Sequence, residues 1–280
     1  MRRVGWKYPL SVCAMLVSFH LLIAVHELGH AAAAGGLGYR VRSITIGVGP
    51  RLFHAQVGDT RLEVRLLPLG GYTKIGGKNS WRWDASASEP SGMSRLIRIA
   101  ALNVAAVVLG GPAASLLLGA GLLCAYLALN GWRFARQDLD VVDDPRPLGG
   151  FLSIVFYGVK CFSLRPQAAL LHIATLSLSL GATNLAPLFP LDGGYVPLAI
   201  YVAISGRRPD RNIAVTFVAA GALVLVSLMV WLLVSDIKFL WRRRKRLLAQ
   251  GSSEALATPS PAVPGEAVIN ESVETSVTAL

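Results

Sequence analysis

Long apolar runs dominate the chain and alternate with shorter polar segments. Each apolar run is long enough for an α-helix that crosses a bilayer, which needs about 20 residues. The runs lie at about 9–34, 97–129, 168–205 and 213–240. Gly110-Gly111-Pro112 interrupts the second, and prolines and glycines between Pro187 and Gly194 break the third. The pattern predicts an all-α polytopic membrane protein with about four transmembrane helices.

A further apolar stretch, 151–164, is shorter and contains Lys160. Its length falls below what a spanning helix requires. We interpret it as an interfacial or re-entrant segment, with a fifth span as the alternative.

A different pattern separates the first two apolar runs. Three short segments have the composition of strands, and a turn at Gly58-Asp59 joins the last two. These segments are 42–46, 51–57 and 60–66, and 68–72 is predicted to end the unit. Because open strand edges cannot face lipid hydrocarbon, we expect a small β-element, at about 40–75, near the membrane surface.

The end of the chain divides into a basic and an acidic part. Trp241 is followed by five consecutive cations, Arg242 to Arg246, directly after an apolar run. Such a cluster is typical of a juxtamembrane anchor for anionic lipid rather than of a nucleic-acid site. From residue 251 the chain has four acidic and no basic residues and few large apolar ones. We therefore predict a membrane core at 1–205, an additional helix with its basic segment at 206–250, and a disordered acidic tail at 251–280.

Composition agrees with this organisation. Hydrophobic residues make up 53% of the 280 residues and charged residues 15%, against about 25% charged in soluble domains. The three cysteines are widely separated, with no metal-ligand or redox spacing, and are interpreted as small core residues.

The first apolar run contains His26-Glu27-Leu28-Gly29-His30, an HExxH motif. On a helix the two histidines lie one turn apart on one face, so both imidazoles can reach one ion. Glu27 is then placed to take a proton from the attacking water. Charged residues at membrane depth are costly and seldom occur without a partner or function. Zinc suits two imidazoles and one carboxylate with a position left for water.

The strongest candidate for the third ligand is Asp192. Pro187, Pro190 and Gly193-Gly194 break a helix around it and expose backbone groups that need a polar lining. The alternative is that Asp192 only caps the following half-helix, which would not explain a carboxylate in the same membrane layer as the histidines. The remaining histidines are interpreted as hydrogen-bonded or surface residues: His20, His54 and His172.

These motifs together resemble the site-2 protease family of intramembrane zinc metalloproteases. The likeness extends to SITIGVGPRLF at 43–53, RLLPLGGYTK at 65–74, Gly111-Pro112, and the segment from Asn184 to Gly194. The resemblance implies one zinc ion on His26, His30 and Asp192, and Glu27 as the base that activates water. It also implies that Asn184 contacts substrate or the oxyanion, and that the β-element guides an unwound substrate.

Two features depart from the family pattern. Phe189 stands where many relatives have proline, which would alter the substrate groove but not the ligand. Residues 129–148 leave no room for the PDZ domains that many relatives insert near there. We therefore expect a family member without PDZ domains.

The resemblance implies regulated cleavage of membrane-spanning proteins, in a multi-pass protein of the bacterial cell membrane. A non-catalytic zinc-binding membrane regulator is the alternative, and the intact Glu27 argues against it. A metal transporter is a third possibility, disfavoured because the chain has no internal repeat. The orientation of the termini stays open because basic residues flank both sides of the spans. Substrate and oligomeric state stay open too.

Overall fold

A computed structural model describes residues 7–76, 93–139, 151–164, 166–207 and 209–257. It contains six helices and two strands among these residues. In chain order they are α1 (Lys7–Gly36), β1 (Arg40–Val57), β2 (Thr60–Gly76), α2 (Met93–Leu139), α3 (Phe151–Leu164), α4 (Pro166–Asn184), α5 (Tyr195–Ser205) and α6 (Arg211–Ala257). A short 3-10 turn, Asp192–Gly194, leads into α5.

Three helices in the described part of the chain are long and apolar enough to cross a membrane: Tyr8–Gly36, Arg98–Gly131 and Arg211–Phe239. The prediction of about four spans is therefore confirmed for three. The region predicted as the third span forms two helices, α4 and α5, because prolines at 187 and 190 cannot continue a hydrogen-bonded helix between them. The 14-residue α3 is not among the three.

The interruption predicted at Gly110-Gly111-Pro112 is wrong, since α2 runs through Pro112. Pro112 is fully buried, and neighbouring helices in a membrane protein can satisfy the backbone group that a proline frees. The helix instead breaks at Gly131, whose φ of 71° and ψ of 170° are not helical.

The β-element consists of two long bent strands rather than three short ones. The first half of β1 pairs with both halves of β2, and the first half of β2 pairs with both halves of β1. Four segments therefore lie side by side in the order 71–76, 40–46, 61–65, 51–57. The register rises together in 40–46 and 61–65, so this central pair is parallel and the two outer pairs are antiparallel. Bends at Gly47 and Gly70, with φ of 87° and 119°, permit this path. The strand continues through 68–72, the segment interpreted as the end of the strands, and ends at Gly76, close to the predicted limit of the β-element at about 75.

Helix α1 packs between the sheet and α2. On the sheet side, Ile23 contacts the buried Ile44 and Ile46 of β1. On the other side, small residues allow the backbones of α1 and α2 to touch. A methyl group at Gly110 would lie 2.6 Å from the carbonyl oxygen of Gly29. This close crossing sets the second half of α1 directly against α2.

Helix α6 reaches Ala257, so residues 251–257 are helical and not disordered as predicted. This segment ends in Glu254-Ala255-Leu256-Ala257, which are strong helix formers. Residues 258–280 of the predicted tail lie outside the described residues. The chain from Val234 onward forms a separate compact unit, in which the Lys245 ammonium lies 3.9 Å from the centre of the Trp241 ring.

Candidate metal centre

Helix α1 carries the HExxH motif on its buried side. His26, Glu27 and His30 are 6%, 5% and 9% exposed, although the helix is otherwise apolar. The two imidazole rings are edge to face, with centroids 4.9 Å apart. Their spacing of four residues places them one helical turn apart, as the sequence predicted.

Asp192 lies opposite the two histidines. Its Oδ2 atom is 2.9 Å from Nε2 of His26 and 3.3 Å from Nε2 of His30. One potential ligand atom from each of the three residues lies within 4.8 Å of the others. The structure thus brings together, from positions 166 residues apart, the three side chains that the sequence predicted as ligands.

Hydrogen bonds on the far side of each ring orient these ligand atoms. Nδ1 of His30 donates to the Val107 carbonyl at 2.9 Å, and Nδ1 of His26 is 2.9 Å from Ser115 Oγ. A carbonyl can only accept, so Nδ1 of His30 carries the proton and a neutral ring presents its Nε2 lone pair. Two imidazole nitrogens and a carboxylate oxygen converge in a buried site, and a cation bound among them would balance the carboxylate charge. The residues therefore fit a metal ion, and partners on the outer ring nitrogen are typical of metal-ligating histidines.

The close approach of α2 to His30 depends on Gly111. A methyl group at this position would lie 2.6 Å from Cε1 and 2.8 Å from Cδ2 of His30, and closer still to Nε2. Ordinary contacts of this kind are 3.4–4 Å long. Only glycine at position 111 leaves the ring where it is.

Glu27 is held by the second half of β2. The Thr73 hydroxyl lies 2.8 Å from Oε2 of Glu27 and donates to it, and it is also 3.1 Å from the Glu27 main-chain oxygen. A methyl group at Gly71 would lie 2.8 Å from Oε1 and 2.9 Å from Cγ of Glu27. The strand therefore packs directly on the carboxylate beside the metal ligands and fixes its position.

Comparison with known families agrees with this geometry. A family model described as Peptidase family M50 matches residues 14–228, which contain all four of these side chains. The chain belongs to Peptidase family M50.

Individual relatives of this M50 chain match over shorter segments. A Clostridium acetobutylicum protein provisionally named a zinc metalloprotease is 32% identical over 114 residues, 41% of this chain and 31% of the relative. A similarly named Clostridium perfringens protein is 46% identical over 63 residues, 22% and 19% of the two chains. Zinc metalloprotease RasP of Oceanobacillus iheyensis is 36% identical over 69 residues, 25% and 16%. Each match spans less than a third of the relative's length. The names identify zinc as the metal of those proteins.

Other predicted residues of the M50 chain lie in different settings. The Asn184 amide donates to the Leu180 carbonyl at 2.9 Å, within the last turn of α4. Phe189 makes an edge-to-face contact with Tyr195, and its backbone lies against Gly221 of α6. The substrate contact implied for Asn184 remains a prediction.

The other three histidines lie outside the metal centre. His20 is bonded to two main-chain carbonyls, those of Leu16 and Arg65, and His54 is exposed. His172 has a buried Nε2 without a hydrogen-bond partner among the described residues. The interpretation as hydrogen-bonded or surface residues is thus confirmed for His20 and His54.

Sequence reasoning did not identify the residues that support the ligands. Ser115 and Val107 lie on α2, and Thr73 on β2, far from the HExxH motif along the chain. Gly71 and Gly111 were noticed as parts of Gly-Gly pairs, Gly71 in the segment 68–72 and Gly111 as an interruption of an apolar run, but not as contacts of Glu27 and His30.

Proposed function

We propose that this protein is an intramembrane zinc endopeptidase that hydrolyses peptide bonds in or near transmembrane segments of other membrane proteins. The observation that carries the proposal is the buried carboxylate of Glu27, which lies on a candidate membrane helix. Beside it, ligand atoms of His26, His30 and Asp192 converge. Ionisable groups at such a depth are retained for function. Membership of Peptidase family M50 and the names of its relatives support the same chemistry.

Each residue has a separate role in the proposed reaction. His26, His30 and Asp192 would hold the ion, which supplies a Lewis acid that polarises the peptide carbonyl and lowers the pKa of a water molecule. Glu27 accepts the proton of the attacking water and delivers it to the leaving amine. Thr73 keeps Oε2 of Glu27 directed by its hydrogen bond.

The sheet offers a means of presenting the substrate. Segment 71–76 pairs with 40–46 on one side, and the described residues form no ladder on its other side. This open edge is the one that carries Thr73 and so lies beside Glu27. An unwound substrate segment could add to it as a further strand, which would satisfy its backbone groups near the reacting bond. We propose this edge, with Asn184 as an additional contact, as the substrate-binding region.

The proposed setting is the bacterial cell membrane, with a membrane-spanning protein as substrate. Three candidate spans and the basic residues after the last of them suit a multi-pass protein that contacts anionic lipid.

The test compares new protein N-termini in host membranes that contain the intact protein or Glu27→Gln. Glutamine keeps the shape of the side chain but cannot accept the proton, and zinc content is measured in both samples. New termini within membrane segments that require Glu27 would support proteolysis and identify the substrate. If both proteins bind zinc and the termini are the same, a non-catalytic zinc-binding regulator becomes the better explanation.

A further inference from the structure

The sheet has a polar outer face opposite the side that packs on α1. Directly paired residues of neighbouring strands share a face. Ser43 pairs with both Lys74 and Arg61, so a cation lies on each side of a serine across three adjacent segments. Together with Arg42, Arg65, Tyr72 and the carboxylates Asp59 and Glu63 they line a cleft of about 430 Å³, in which four cations face two acids. We call this the basic cleft.

The charges of the basic cleft are only partly compensated. Glu63 is 3.3 Å from Arg65 and 4.0 Å from Arg51, so its carboxylate is already shared between two arginines. No ion pair within the described part of the chain involves Arg42, Arg61 or Lys74. The cleft therefore offers free cationic donors to an anion.

The geometry matches a group with several anionic oxygens. Neighbouring strands are about 4.8 Å apart, so the backbones of Lys74 and Arg61 are roughly 10 Å apart with Ser43 between them. Both long side chains can converge above the small serine. Phosphate accepts such converging bonds from arginine and lysine.

Exposed apolar residues at the end of the sheet away from Lys74, Ser43 and Arg61 indicate that the phosphate belongs to a membrane lipid. The bend carries exposed leucines and a valine, 41–62% exposed: Val48, Leu52, Leu66, Leu67 and Leu69. His20, near the middle of the candidate α1 span, is 2.8 Å from the Arg65 carbonyl through Nε2, so this end of the sheet lies beside the middle of that span. Seven residues further along α1, about 10 Å nearer its end, Glu27 contacts Thr73 beside the cationic row.

The depth of the cationic row suits lipid headgroups. The 29-residue span of α1 is about 43 Å long, so each end projects about 6 Å beyond a hydrocarbon core of about 30 Å. Glu27 lies nine residues, or about 13 Å, from Gly36, which places the row about 7 Å below the headgroup boundary. Lysine and arginine side chains extend over such a distance to reach the interface. We propose that the basic cleft binds the phosphate of an anionic membrane lipid.

The test measures lipid binding by purified full-length protein in nanodiscs of phosphatidylcholine with increasing phosphatidylglycerol. Retained phosphatidylglycerol is counted by native mass spectrometry. The variant R61Q/K74Q removes two cations of the cleft, and the control R207Q/R211Q removes two exposed cations outside it. Each cation near the surface contributes about five-fold to the affinity for anionic lipid, so we expect R61Q/K74Q to bind about 30-fold more weakly. The control cations border the α6 span and contribute the same general attraction, so the proposal requires a loss in R61Q/K74Q that clearly exceeds the loss in the control.

Further arms distinguish the alternatives. R61K/K74R keeps the charges and should retain binding, while thermal unfolding of R61Q/K74Q checks that this variant is still folded. Inorganic phosphate and an acidic peptide are titrated as competitors. Equal losses in R61Q/K74Q and R207Q/R211Q would overturn the proposal. The proposal would also be overturned if inorganic phosphate bound as tightly as phosphatidylglycerol, or if the acidic peptide displaced the lipid and inorganic phosphate did not. Because no proteolytic step is measured, the result does not depend on the proposed function.

Discussion

Gly111 provides the sharpest structural test of how the metal ligands are held. In Gly111→Ala the new methyl group would lie 2.6 Å from Cε1 of His30, where an ordinary contact is at least 3.4 Å. The ring or the helix must therefore move by about 0.8 Å. Metal–ligand distances tolerate only about 0.2 Å, so the displaced His30 should no longer coordinate well. We expect zinc affinity to fall at least as far as for loss of an outer-ring hydrogen bond, about 100-fold.

A matched control is available on the same helix. Gly121 also lies in α2, but a methyl group there would meet nothing within 4 Å. Gly121→Ala should keep zinc affinity unchanged and stabilise the helix by up to about 1 kcal/mol. Zinc affinity is measured by competition with a chromogenic chelator in detergent micelles, with thermal unfolding as the check on folding. Zinc affinities within two-fold of each other for the two alanine variants would refute the packing argument.

The remaining predictions concern the hydrogen bonds and the metal. Ser115→Ala removes the partner of His26 Nδ1 and should weaken zinc binding about 10- to 100-fold in the same titration; unchanged affinity would contradict that role. Thr73→Val removes the hydrogen bond to the charged Glu27 side chain, which is worth about 1.5–3 kcal/mol. We expect kcat to fall about 10- to 100-fold with zinc content unchanged, whereas Thr73→Ser should keep most activity. Equal rates for the two Thr73 variants would contradict this role of the hydrogen bond. Chelation should lower the midpoint of thermal unfolding and zinc should restore it, since a ligand that binds only the folded state stabilises it; Asp192→Asn should show a much smaller zinc-dependent shift.

The metal ligands could be predicted from sequence because their chemistry is conspicuous in its surroundings. His26 and His30 are one turn apart within an apolar run, and Asp192 interrupts another apolar region between prolines. Each is costly in a membrane unless it has a partner. That cost is a local property of the sequence, so no knowledge of the fold was needed to pair residues 166 positions apart.

The supporting contacts depend on register and could not be predicted in the same way. Residues 68–72 were interpreted as the end of the strands, although the β-element as a whole was placed at about 40–75, which includes Thr73. In the structure the strand bends at Gly70 and continues, and Gly71 is where it passes over Glu27. Hydropathy likewise counted residues 168–205 as one span, although the prolines and glycines at 187–194 were recognised as a break, and the structure has two helices there.

The most direct test of the proposed activity uses purified protein, a reconstituted substrate carrying the cut site found by terminal proteomics, and water enriched in oxygen-18. Hydrolysis that uses Glu27 as the base should place one oxygen-18 atom in the new C-terminal carboxyl group. Cleavage should stop on chelation, resume with zinc, and be lost in zinc-loaded Glu27→Gln. Cleavage at an undiminished rate in Glu27→Gln, or in protein stripped of zinc, would contradict the proposed role of this site.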